Sequence, residues 1–322
     1  MRFVIFGAGA IGGVVGARLH QGGFDVALIA RGAHLEEIRR SGLTLETPAE
    51  RSVLDLRAVE DPAELGLGSG DVVLLATKGQ DTPSALAALR RAGADEVPVV
   101  CLQNGVENER LALRSFAATY GAVVMVPAAH LRPGVVQAYG SRLTGIIDVG
   151  RYPSGSDELC EQIARALAGS QFSSRVQAEI MRFKYAKLIL NLGNAVGALC
   201  GAGEPSDELT ARARAEARAA LSAAGIRYDA GEVDDVKGRW ERIGVREIAG
   251  RERAGSSSWQ SLARGTGAIE TDYLNGEIVL IGRLNGVPTP VNAALCRLAE
   301  RHAREGGAPG AVPVPEVLAA AA

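Results

Sequence analysis

The hexapeptide GAGAIG, Gly7 to Gly12, limits what this chain can become more than any other stretch. It follows a short apolar run, RFVIF (2–6), and leads into helical spacing through Ile11, Val14, Val15 and Leu19 that stops at Gly22 and Gly23. A strand that turns sharply into a helix needs backbone freedom at Gly7. A pyrophosphate brought against the backbone needs the missing side chain of Gly9, and tight packing of helix on strand needs that of Gly12. The helix that opens here points its amides and positive dipole end at an anion. Gly7, Ala8, Gly9, Ala10, Ile11 and Gly12 are therefore expected to cradle a dinucleotide, a strong reading because the motif stands between a strand and a helix.

The runs that follow agree with this start. Phe24–Ala30, DVVLLATK from Asp71, PVVCLQNG from Pro98 and AVVMVPA from Ala122 are mostly too apolar to have a wet face, as in parallel strands covered on both sides. HLEEIRRSG (34–42) and PSALAALRRAG (83–93) supply helices between them, giving a β-α-β succession. After about residue 177 the pattern becomes helical, as in DELTARARAEARAALSAAG (207–225) and TPVNAALCRLAERHA (289–303). The fold class expected is α/β: a doubly wound dinucleotide-binding domain over 1–177, then a mostly helical domain over 178–322. A chain of 322 residues suits two domains. The Arg-rich stretch of 207–225 alternates with Glu and Ala, so it reads as an exposed helix face, and the Gly- and Pro-rich tail (306–322) reads as a loose end.

A formal charge of -2 provides no general field for nucleic acid or anionic membrane. Cys101, Cys160, Cys200 and Cys296 are scattered, without ligand spacing, which predicts neither metal nor disulfides and suits a reducing compartment. The glycines of the N-terminal run break up what would otherwise resemble a signal peptide, so a cytoplasmic protein is expected.

The second strand carries the cofactor's identity. Counting about 20 residues on from the glycines reaches Asp25, but Asp25 begins that strand, and ligands bind beyond the carboxyl ends of such sheets. The residue there is Arg31. A guanidinium in place of a ribose-binding carboxylate suits the 2′-phosphate of NADP, which it can grip with charge-assisted bonds.

Lys187, with Asn191 four residues on and Asn194 seven on, places an ammonium and two amides along one helical stripe among Leu188, Ile189, Leu190 and Leu192. Hydride delivery to a ketone creates an alkoxide that needs a proton and a nearby cation, and a lysine provides both. The GAGAIG motif with Arg31, the pair Thr77-Lys78, the tripeptide Gln103-Asn104-Gly105, the segment KYAKLILNLGN (184–194), and SSSWQ followed by ETDYLNGE together resemble the ketopantoate reductase family. The match runs in order along nearly the whole chain. That resemblance implies a Rossmann domain and a helical domain with the active site in the cleft between them. It also implies NADPH-dependent reduction of 2-dehydropantoate to pantoate in coenzyme A synthesis. By the same resemblance, Lys187 is the general acid, Asn191 binds substrate, and Glu270 holds the lysine or the substrate hydroxyl. Lys78 would lie beside the cofactor, and Asn104 near both nicotinamide and substrate. Asp272 and Asn275 are read as structural, and His130 as a polar cap in a loop.

The substrate end departs from the family pattern. Ala195 stands where a second asparagine is usual, with Asn194 one place earlier and so about 100 degrees around a helix. Gly203, Glu204, Pro205 and Ser206 occupy a region where another asparagine is expected, and Ser261 replaces an aspartate. The substrate-binding serine is Ser257 when counted from Trp259 and Ser258 when counted back from Glu270. A reductase of another small oxo acid and a non-catalytic NADP-binding regulator remain alternatives. The partner expected is a small 2-keto acid, and a homodimer fits the apolar helical half.

Overall fold

The computed structural model describes residues 1–251, 255–265 and 267–322. Its contacts form two compact units. The first comprises Met1–Gln103, Glu107–Lys184 and a stretch opening at Asp234; the second comprises Asn104–Val106, Tyr185–Val233 and the C-terminal residues.

In the first unit, β1 (Arg2–Phe6), α1 (Ala10–Gln21), β2 (Asp25–Ile29) and α2 (Gly32–Ser41) run as the sequence predicts. The short strands β3 (Leu43–Glu46), β4 (Arg51–Leu54) and β5 (Arg57–Val59) follow, then β6 (Asp71–Leu75), α3 (Thr82–Arg91), β7 (Val99–Cys101) and α4 (Asn108–Leu113). The unit continues with β8 (Thr119–Met125), β9 (Ala128–Arg132), β10 (Val135–Ala138), β11 (Gly145–Arg151), α5 (Glu158–Gly169) and β12 (Phe172–Ser173). The main sheet has the order β12-β11-β8-β7-β6-β1-β2-β5, parallel throughout except where β11 meets β8. Its strands are apolar at successive positions because each face has its own core. Phe3, Ile5, Leu28, Leu74 and Val100 pack on one side, and Val4, Ile29, Val73, Leu75 and Val99 on the other.

A second sheet, β4-β3-β10-β9, has no counterpart in the sequence reading. Its strands are four or five residues long, and the outermost, β4, alternates exposed and half-buried positions, too weak a period to mark a strand. Packed on β1 and β2 and also on β3, β9 and β10, α1 is buried without interruption from Gly12 to Leu19. A Cβ on Gly12 would meet Ile5 Cγ2 at 2.8 Å, and one on Gly13 would meet Val136 Cγ1 at 2.6 Å. The paired glycines thus face one sheet each.

The stretch from Asp234 docks on this unit. Arg246 N–H donates to Tyr139 O at 2.9 Å, and Arg251 grips the buried Glu46 carboxylate through Nε at 2.9 Å and Nη2 at 2.7 Å. Gln137 Nε2 adds a third bond at 2.9 Å. These donors, led by Arg251, hold the Glu46 carboxyl down at about 2. A folded pKa below the unfolded value means stabilisation present above the ordinary 4.5 and lost as pH falls toward 2. Glu46→Gln is accordingly expected to lower Tm at pH 7 and to flatten the fall of Tm between pH 5 and pH 2, read by circular dichroism; an acid limb as steep as that of the unaltered chain would refute the assignment.

Helix α6 (Ile180–Asn191) begins in the first unit and ends in the second. It is followed by α7 (Gly193–Cys200), α8 (Glu204–Ala223), α9 (Ala230–Asp234), α10 (Val236–Ile243), α11 (Ser257–Ala263), α12 (Asn275–Leu284), α13 (Pro290–Arg304) and α14 (Val314–Ala320). The one stripe expected from Lys187 to Asn194 is interrupted, because α6 ends at Asn191 and a new helix starts after Leu192. A Cβ on Gly193 would stand 3.0 Å from Thr210 Cγ2 of α8. Arg214 of α8 donates to Ile189 O at 3.3 Å and Leu190 O at 3.2 Å, and Asn275 Nδ2 to Leu192 O at 3.3 Å. The break is thus supplied with donors from two other helices, as carbonyls at a helix end require.

The arginine-rich face of α8 also does more than meet solvent. Glu216 accepts from Val291 N at 2.8 Å and Asn292 N at 3.0 Å, capping the first turn of α13. The expectation of a loose tail is overturned. Val317 of α14 is fully buried, Arg301 pairs with Glu316 at 2.8 Å, and Gly310 N–H donates to Ala198 O at 2.9 Å. Gly and Pro clustering there marks turns that lead into a docked helix. Among the described residues no helix is long and apolar enough to cross a membrane, and no group of acidic, His and Cys side chains could hold a metal.

Candidate active site

The neighbouring strands β2, β1, β6 and β7 end together, and the chain direction of travel reverses at β1, whose partners are β2 on one side and β6 on the other. Such a switch point is where open α/β sheets take their ligands. Gly7 follows β1, Arg31 follows β2, Thr77 and Lys78 follow β6, and Gln103 and Asn104 follow β7. Gly7 has φ +100°, a region that disfavours side chains, and a Cβ on it would lie 2.9 Å from Thr77 N. Gly9 caps α1 with no side-chain bond, and a Cβ there would meet nothing within 4 Å. The Gly-rich turn is therefore closed on the sheet side at Gly7 and Gly12 and open at Gly9, at the start of a helix with no acidic residue in its first turn. That is the shape a pyrophosphate needs.

Arg31 is exposed, its Nη2 3.5 Å from Asp81 Oδ2, so its guanidinium sits over the loop after β6. Lys78 is half-buried and caps a 3₁₀ turn, Gly79–Asp81. The sequence reading missed His34 in the first turn of α2. Its Nδ1 accepts from Gly134 N–H at 2.9 Å, and its Nε2 donates to Ala8 O at 2.8 Å. A ring that accepts on one nitrogen and donates on the other is neutral, and burial lowers its pKa, which favours that state. The His34 ring lies 4.1 Å from that of His130, whose Nδ1 is 3.0 Å from Val135 O; His130 belongs to strand β9 rather than to a loop. No spacing rule links a histidine in α2 to Ala8.

In the sequence Gln103 stands out only as part of the tripeptide Gln103-Asn104-Gly105. Its Nε2 donates to Thr82 Oγ1 at 2.6 Å and Thr77 Oγ1 at 3.2 Å, joining the ends of β6 and β7. Its Oε1 is buried without a partner.

The remaining candidates belong to the second unit. Lys187 is half-buried on α6, and Asn191, 6% exposed, lies one turn on. The Asn191 Nδ2 is buried and has no hydrogen-bond partner. Asn194 lies beyond the break, half-buried in the first turn of α7. Ser256, not singled out in the sequence, caps α11, accepting from Trp259 N at 3.3 Å and donating to Asn194 O at 3.4 Å. This bond brings the serine motif against the start of α7. Ser257 is half-buried, and Ser258 is 2% exposed. Ser261 Oγ donates to Ser257 O at 3.0 Å within the helix, so the residue in the aspartate's place serves α11 itself. Glu270 is 7% exposed and opens a 3₁₀ turn that packs on α12 and α13. Asn275, fully buried, bonds Asn292 Oδ1 at 2.9 Å as well as Leu192 O, a structural use of the motif's asparagine. Residues 203–206 form the start of α8, with Gly203 at φ +136° and Pro205 in the first turn, so a helix start stands where an amide was expected.

Comparison with known proteins adds to this geometry. Residues 3–154 match the family model for ketopantoate reductase PanE/ApbA, and residues 179–303 match that for its C-terminal domain. A 2-dehydropantoate 2-reductase from Mesorhizobium japonicum is 31% identical, over 95% of this chain and 99% of its own. The crystal structure of a PanE/ApbA family ketopantoate reductase from Ralstonia eutropha JMP134 superposes with a TM-score of 0.80 at 30% identity, covering 95% of this chain and 99% of the other. A D-mandelate dehydrogenase solved with NADH and anilino(oxo)acetate shares the fold, with a TM-score of 0.81 at 24% identity over 95% and 99% of the two chains.

Proposed function

The chain belongs to the ketopantoate reductase PanE/ApbA family and is a nicotinamide-dependent oxidoreductase acting on the CH-OH/C=O couple of 2-keto acids, and from that premise we propose that it reduces 2-dehydropantoate to pantoate with NADPH. The observation that carries this reading is Asn191 Nδ2, a buried amide donor with no partner, one turn from Lys187. A buried donor left unmade is costly, and a keto acid oxygen would satisfy it. Lys187 then donates the proton to the carbonyl oxygen as it gains charge, and its ammonium steadies that charge before transfer. Glu270 orients the ammonium, and Asn104, Asn194 and Ser257 or Ser258 bind the substrate's polar groups. Gly7 to Gly12 hold the pyrophosphate, Lys78 borders the cofactor, and Arg31 takes the 2′-phosphate. When bound, NADPH supplies the hydride.

Arg31→Ala tests the cofactor. Removing a charge-assisted phosphate contact should raise the NADPH dissociation constant by about 10- to 100-fold, with NADH binding changed less than about 2-fold, in fluorescence titrations. Equal losses for the two cofactors would sink the assignment.

The substrate is tested by following NADPH absorbance with a panel of 2-oxo acids, starting with ketopantoate. Ketopantoate should give the highest kcat/KM. A second reading, another small oxo acid, is favoured by Ala195, by the helix start at 203–206 and by Ser261. An aryl-substituted oxo acid of the kind bound to the mandelate dehydrogenase belongs in the panel, and its preference over ketopantoate would decide for the second reading.

A further inference from the structure

Lys184 and Glu109 form an ion pair whose side chains are 3% and 0% exposed. Lys184 lies on α6, three residues before Lys187, and Glu109 on α4. The Lys184 Nζ also donates to Gln103 O at 3.0 Å. Taking two charges out of water is costly, and their attraction repays it only in part, so an apolar pair of the same size would stabilise the fold at least as well. Stability therefore does not account for the pair. Space has even been left for it, because a Cβ on Gly121 of β8 would stand 3.3 Å from Glu109 Oε1 and 3.4 Å from Lys184 Cδ.

What the pair does have is the carbonyl of Gln103. The side chain of the same residue is tied to Thr77 and Thr82, and Thr82 Oγ1 donates in turn to Asn108 Oδ1 at 2.8 Å. Gln103 is thus held through both its backbone and its amide. The next residue is Asn104, and Gly105 turns the chain away at φ +80°. We propose that Lys184, fixed by Glu109, is a positioning residue that sets the Gln103 carbonyl and through it the orientation of Asn104 for reduction. The inference rests on the reductase reading above. An ammonium is needed because one group must donate both to a carboxylate and to a carbonyl; a carboxylate is needed because it holds that ammonium in place where water is absent.

The test compares the full-length protein with Lys184→Met and with the double variant Lys184→Met/Glu109→Leu. The single change strands a buried carboxylate and should lower Tm. The double change removes both charges and should restore Tm to within a few degrees of the unaltered chain. It should still leave kcat at least about tenfold lower, with the NADPH dissociation constant within about 3-fold, because no donor reaches Gln103 O. Amide hydrogen exchange at Asn104–Val106 should be faster in the double variant. A double variant that regains both Tm and kcat, with exchange unchanged, overturns the proposal by showing a purely structural pair. Lys184→Gln/Glu109→Gln, in which both groups are neutral and polar and the side chain at 184 is too short to reach the carbonyl, replaces the apolar pair if that does not fold, with the same outcomes. Should the unaltered protein turn over no 2-oxo acid, the reductase reading fails, and exchange at Asn104–Val106 alone decides the positioning role: faster exchange supports it, unchanged exchange overturns it.

Discussion

Lys187→Ala is expected to lower kcat by about 10² to 10⁴, the range for loss of a positioned proton donor, or about 3–5 kcal/mol of barrier. The NADPH dissociation constant and Tm should stay close to those of the unaltered chain, because Lys187 is half-buried on a helix whose packing rests on Ala186, Leu188 and Ile189. Lys187→Arg should not recover the rate. A guanidinium keeps the charge but holds its proton too tightly to hand it over. Steady-state kinetics with saturating NADPH reads the first effect and a binding titration the second. Turnover retained within tenfold in Lys187→Ala would remove the lysine from the chemistry and leave it a binding group.

The second large effect is expected at the Gly-rich turn, where changes at Gly12 and Gly9 should both lower NADPH affinity but differ in their effect on Tm. Gly12→Val places its Cβ against Gly7 O, 2.8 Å from Ile5 Cγ2 and 3.0 Å from Ala76 Cβ. The first is backbone and the second belongs to the fully buried Ile5, so neither can give way cheaply. Overpacking of this kind costs about 1–3 kcal/mol, and the displaced turn should lose NADPH affinity by roughly 100-fold or more, as 2.7 kcal/mol implies. Gly9→Ala meets no atom within 4 Å and has a φ of -71°, which alanine adopts freely. Its Tm should be unchanged, yet its affinity for NADPH should fall at least about tenfold, because the added methyl occupies the space left for the pyrophosphate. If Gly9→Ala binds NADPH normally, the turn is a packing device and the cofactor assignment falls with it.

The parts of this molecule that were legible in the sequence are those whose physical demands repeat at a fixed period or fall on one residue type. Phe3, Val4 and Ile5 read as a doubly covered strand because successive side chains enter separate cores. Gly7 and Gly12 were assigned their places by counting, and the geometry gives each a neighbour that no Cβ could share. The four-stranded second sheet was not legible, because strands such as Arg51–Leu54 are short and half wet, and the sheet is completed only where Thr44–Glu46 pairs with the distant Val135–Gln137. The same holds for His34, whose bonds join Ala8 and Gly134. At the candidate site, Lys187 and Asn191 could be placed one turn apart from sequence, but Asn194 could not. Its position depends on a break at Leu192 that is held by Arg214 and Asn275 from distant parts of the chain. Charge alternation in α8 likewise hid that Arg214 and Glu216 cap other helices.

That break also bears on how such a scaffold can diversify. In one continuous helix, a change that rotated or shifted the downstream amide would drag the lysine with it. Because the carbonyls around Leu192 take donors from α8 and α12, the turn carrying Lys187 and the turn carrying Asn194 belong to separate helices. Selection can then rework the residues after Leu192 one at a time, leaving the turn that carries Lys187 where it is, and the Asn194-Ala195 register of this chain is the kind of divergence such an arrangement permits.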